Sequence, residues 1–96
     1  RLLYKFLERW GQSFRPTARP KGFKRGRPKQ CYANAAALAQ GRLNESRRVP
    51  YLYAEGLAFR PRGILFEHAW CVRGAAAIDP TLDDVENYEF LGIVLP

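Results

Sequence analysis

The chain has no methionine, one histidine and only two cysteines. Two isolated cysteines and one histidine, with no Cys-x-x-Cys pair, do not make an ordinary structural zinc site, so no metal is expected. A secreted scaffold of this size would usually carry more cysteines for disulfides, so the expectation is free thiols in the cytoplasm. No apolar run approaches the roughly 20 residues of a membrane span, and the first residues lack the apolar core and cleavage site of a signal peptide. No membrane partner is expected. Neither Gly22 nor Gly26 is followed by the Gly-Lys-Ser/Thr of a phosphate-binding loop, so no nucleotide cofactor is expected either. A start at Arg1 with methionine nowhere is what an excised piece or a processed product would show.

What is present suits one small packed domain spanning residues 1–96. Apolar residues make up 47% and aromatics 14%, which excludes wholesale disorder. At 96 residues the chain is near the small end of what buries a sufficient core unaided. Charge is unevenly spread. Residues 1–30 hold ten Lys/Arg and one acid, Glu8, whereas residues 31–96 hold six Lys/Arg and eight acids. The net +7 therefore belongs to the front third.

Leu3, Phe6, Leu7, Trp10 and Phe14 recur at helical spacing, which predicts an amphipathic helix over 1–14 packed on the core; a membrane-surface helix is the sharper and less favoured reading. Residues 15–30 contain three Pro, two Gly and seven Lys/Arg and read as a basic loop. As a connector that loop aids solubility; as an arm spanning Arg15–Lys29 it grips a polyanion or nucleic acid, although only its Phe23 can stack on a base. Tyr51–Phe59 reads as a strand in which Gly56 marks a bulge or a close backbone approach. Residues 81–89 are an acidic turn or short helix, and Tyr88–Leu95 a last apolar strand closing a sheet edge. The expected fold is α+β, with N-terminal helices packed on a small antiparallel sheet.

Chemistry concentrates in 67–81. Two apolar strands joined at Arg73-Gly74 predict a hairpin in which Val72 faces Ala75, and that register sets His68 directly opposite Asp79. Alternation sends Cys71 to the other face from His68, so Cys71 is expected to be a core thiol. Cys31 opens the helix-forming run Cys31–Gln40, where unpaired N–H groups and the helix dipole favour thiolate. Cys31, His68 and Asp79 together supply a nucleophile, a base and an orienting acid. A lone His beside an Asp is more commonly a satisfied polar pair, and it is the cysteine that shifts the balance. Asn34, one turn on, is a candidate for capping or orienting a loop, and Glu55 reads as solvent-facing, the favoured case, or as a polar partner directed towards the site.

With Cys31, His68-Ala69-Trp70 and Ile78-Asp79-Pro80-Thr81 in this order, residues 31–81 resemble the transglutaminase-like, papain-related cysteine enzyme superfamily. That resemblance implies a papain/transglutaminase-like core over 31–96 and a Cys-His-Asp triad. It further implies acyl transfer through a thioester from a glutamine side chain or peptide amide of a protein or peptide substrate, as in a protease, deamidase or transglutaminase, without a cofactor. The chain departs from the family in its short length, in Gln30 before the cysteine and in Tyr32 after it. For the second oxyanion donor beside the Cys31 N–H, Gln30 ranks ahead of Gln12 and Trp10. The competing expectation is a non-catalytic small basic binding protein on the same fold, occupying a nucleic acid or an acidic protein surface as a phage-type inhibitor does.

Overall fold

A computed structural model describes residues 2–19, 26–40, 51–74 and 76–95 of the chain. Its elements are α1 (Leu2–Trp10), β1 (Gln12–Thr17), α2 (Cys31–Ala39), β2 (Leu52–Phe59), β3 (Leu65–Arg73), β4 (Ala76–Ile78), a single 3₁₀ turn (Val85–Asn87) and β5 (Glu89–Leu95). The five strands close into a barrel in the order β1-β4-β3-β2-β5.

This corrects the expectation of helices packed on a small antiparallel sheet with a papain/transglutaminase-like core. Closure depends on β1, which sequence periodicity had assigned to the first helix and the basic loop. Phe14 and Pro16 point inward while Gln12, Ser13, Arg15 and Thr17 stay exposed, a strand alternation and not a helical stripe. β1 pairs antiparallel with β5 through Gln12–Phe14 and parallel with β4 through Arg15–Thr17. Beyond Phe14 it has a partner on one side only, a position that tolerates the missing N–H of Pro16. The helix expected over 1–14 accordingly stops at Trp10, and Phe14 packs inside the barrel.

β2 pairs with β3 along its whole length and with β5 from Tyr53 to Phe59. Gly56 carries no bulge; it lies opposite both His68 and Gly92, and a Cβ on it would meet the Gly92 Cα at 2.5 Å. Gly92 is needed for a second reason, because a Cβ there would lie 2.5 Å from the Trp70 ring. Strands thus approach closely enough for Trp70 to fill the barrel.

Alternation divides the apolar residues into two clusters. Phe14, Ala54, Ala58, Trp70, Val72, Ala77 and Phe90 fill the barrel interior. Outside, α2 buries Ala35 and Leu38 on Ala69, Cys71, Ile78 and Tyr51. An alanine-rich helix suits this seat, since it lets the backbone approach the sheet, and Cys71 Sγ donates to the Ala35 carbonyl at 3.1 Å. No described helix is long and apolar enough to cross a membrane.

Candidate functional site

The β3–β4 hairpin forms, but its register differs from the expected one by two residues. Cys71 faces Ile78, Val72 faces Ala77 and Arg73 faces Ala76, with Gly74 in the connection at a φ of 61°. A shift of two preserves the face of every side chain, whereas a shift of one would have inverted them. His68 and Asp79 are therefore diagonal and still on one face. His68 Nε2 donates to Asp79 Oδ2 at 2.5 Å.

Asp79 is held rigidly. Its Oδ1 accepts the backbone N–H of Thr81 at 2.7 Å and of Leu82 at 3.0 Å, a local turn that aspartate side chains favour. Three other segments fasten this turn. Arg19 donates to the carbonyls of Asp79 and Leu82 and pairs with Asp83 at 2.7 Å. Gly26 N–H reaches the Pro80 carbonyl at 2.7 Å, and Asn34 Nδ2 donates to Thr81 Oγ1 at 3.0 Å and to the Arg27 carbonyl at 2.8 Å. The turn sits where the barrel wall thins. β4 pairs with β3 only at Cys71–Arg73, so from Trp70 back to Leu65 β3 has a strand partner on one side alone.

The imidazole faces inward among Phe66, Phe90 and Trp70, with ring centroids 5.4–6.1 Å away. His68 is 2% exposed and Asp79 0%. Trp70 stacks beside the histidine, and among the described residues its Nε1 has no hydrogen-bond partner.

Cys31 begins α2 and is half-buried. It shares the helix stripe of Ala35 and Leu38, which lies on the outer face of β3, while His68 occupies the inner face of that strand. Among the described residues no hydrogen bond joins its thiol to the imidazole. The structure thus brings His68 and Asp79 together, while Cys31 opens the helix whose Asn34 is tied to the Asp79 turn. Gln30 is exposed at the N-cap; its side chain caps nothing and its carbonyl accepts the Asn34 N–H at 2.8 Å. Gln12 is exposed on β1, and Trp10 is exposed on α1.

Sequence reasoning missed two features. Arg19 reads as one more cation of a solvated loop, yet it braces the Asp79 turn, and nothing in its local sequence signals this. Glu55, read as solvent-facing or as a polar partner of the site, is half-buried on the outer face and accepts the Tyr53 phenol at 2.6 Å, a partner that reading did not name. Burial, then this hydrogen bond and the Glu55 charge, push the Tyr53 pKa upward, and Tyr53 packs against the cluster that α2 covers. Of the proposed basic arm, Pro20–Arg25 lie outside the described residues; Arg15, Arg27 and Lys29 are exposed. Compared with protein-family models, curated proteins and solved structures, the chain finds no match.

Proposed function

We propose that the chain is a cysteine-dependent acyl-transfer enzyme acting on a glutamine side chain or peptide amide, with Cys31 as nucleophile, His68 as base and Asp79 as orienting acid. The observation that supports this reading is the His68–Asp79 bond, made by a carboxylate whose other oxygen is already held by two backbone N–H groups. Such an acid fixes the ring and stabilises its cation. With Nε2 committed to Asp79, Nδ1 is the basic nitrogen. It accepts the Cys31 proton as the sulfur attacks the carbonyl carbon. The C–N bond then breaks and the imidazolium returns the proton to the leaving amine. Water or an amine resolves the thioester. The Cys31 N–H and the uncommitted Gln30 amide are the proposed oxyanion donors, each of a kind typically worth about 10²–10³ in rate. The reading requires Cys31 Sγ to reach Nδ1 across the free edge of β3. A reducing compartment such as the cytoplasm would keep the nucleophile a thiol.

The test is alkylation of Cys31 in a Cys71→Ala background at neutral pH. Labelling well above the rate of free cysteine, slowed to that rate by His68→Ala, is the expected outcome. Equal rates with and without the histidine would sink it.

A second reading is favoured by one specific observation. His68 and Asp79 are 2% and 0% exposed, as suits a structural pair in a non-catalytic basic binding protein. That reading expects unremarkable Cys31 reactivity and affinity for polyanions that falls steeply with salt.

A further inference from the structure

α1 does not bury its aromatic residues. Of its described side chains only Leu7 is buried, at 1% exposure, while Phe6 is 46% and Trp10 62% exposed. Phe6 and Trp10 are four residues apart, so they stand on one stripe about 6 Å apart along the axis. Lys5 and Arg9 are exposed beside them, and the Arg9 guanidinium lies 5.2 Å from the Trp10 ring centroid. Two rings and two cations therefore form one ridge on the outside of the barrel, in the third of the chain that carries ten Lys/Arg against one acid.

We propose that this ridge is a docking surface for single-stranded nucleic acid. Its occupant must be anionic, because the surrounding segment is strongly cationic. It must also offer flat faces, because the apolar groups are two exposed rings with cations against them. Unpaired bases on a phosphate backbone meet both demands: bases stack on the rings, and Lys5 and Arg9 neutralise phosphates. An anionic membrane is the weaker fit. A membrane-surface helix segregates a charged face from a broad apolar one, whereas here the cations abut the rings. The proposal is independent of the acyl-transfer reading and of the Cys31–His68 geometry.

Trp70 is fully buried and Trp10 is not, so added quencher or ligand reports on Trp10. Unlabelled oligo(dT) is titrated into the full chain at low salt, following tryptophan emission, with anisotropy of a labelled oligonucleotide in parallel. The expected result is quenching on binding, and an affinity lowered about tenfold or more in F6A/W10A by anisotropy, as loss of base stacking implies. Lys5→Gln with Arg9→Gln should reduce the slope of log affinity against log salt by about 1.4 for single strands. All four side chains are exposed, and circular dichroism checks that the variants fold. The proposal is overturned by oligonucleotide affinity unchanged in F6A/W10A, by no binding at low salt, or by quenching with anionic phosphatidylserine vesicles and not with oligo(dT).

Discussion

At the residue scale, the two polar sites in the sheet obey different rules. Asp79 is buried at no exposure and survives there because both its oxygens are hydrogen-bonded: His68 on one, two backbone N–H groups on the other. Its meeting with His68 was legible from alternation alone, since parity survives the two-residue error in hairpin register. What alternation does not say is which face a helix covers, and so the seating of α2 on the face of β3 opposite His68 was not legible. Cys71 is the counterpart without a charge. Burial pushes its thiol from 9.0 to about 12, outweighing a nearby backbone hydrogen bond that lowers it. Between these values the unfolded chain holds fewer protons than the folded one, so rising pH favours unfolding. The stability tied to the neutral thiol is complete below pH 9 and is lost as pH climbs towards 12. Tyr53, also pushed up mainly by burial, adds a loss of the same sign above its ordinary 10.0. Cys71→Ala should therefore show a smaller fall in Tm between about pH 8.5 and 10.5 than the parent, each referred to its own value at pH 7. An equal fall in both proteins would deny Cys71 that role.

At the element scale, the informative piece is the segment from β1 to Arg19. Its sequence, Gln-Ser-Phe-Arg-Pro-Thr, holds only Phe14 and the terminal Thr17 as strand formers and includes a proline, and Phe14 also fits the preceding helical stripe; local pattern therefore pointed elsewhere. Its partners lie far along the chain, Arg15 against Ala76 and Phe14 against Phe90, and no local signal announces pairings of that separation. β2 and β3 were legible as apolar runs meeting at a turn, and β5 as a long apolar run after an acidic stretch. Arg19 extends the reach of β1 by tying its end to the Asp79 turn with two carbonyl bonds and one ion pair. The Asp83 side of that pair is exposed and is worth little; the two carbonyls are the larger part. Arg19→Ala should cost about 1–3 kcal/mol in urea denaturation, and Asp83→Ala at most about 1 kcal/mol. The reverse ranking would mean that Arg19 acts through charge and not through bracing the turn.

At the scale of the whole molecule, a closed barrel makes stability indivisible in a way that a helix leaning on its surface does not. Every strand has neighbours on both sides somewhere along its length, so removing one opens two seams. Phe14 meets Trp70 edge-on at 5.9 Å, and losing it leaves a cavity in the central cluster. Among the described elements α1 packs chiefly against β5, and it buries Leu7 alone among its described side chains. Deleting residues 1–10 should therefore leave a cooperative urea transition, with an unfolding free energy lowered by about the 2–5 kcal/mol that losing one buried leucine costs. Deleting residues 1–17 removes β1 as well, leaving β4 and β5 each short of a partner and Trp70 without Phe14. That chain should lose the cooperative transition and bring Trp70 emission to the wavelength of solvated tryptophan. Because Trp10 is absent from both truncations, the emission of each reports Trp70 alone, so the two deletions separate a supporting helix from a strand that closes the fold. Similar behaviour of the two would mean that the barrel is held by α1 or can dispense with β1.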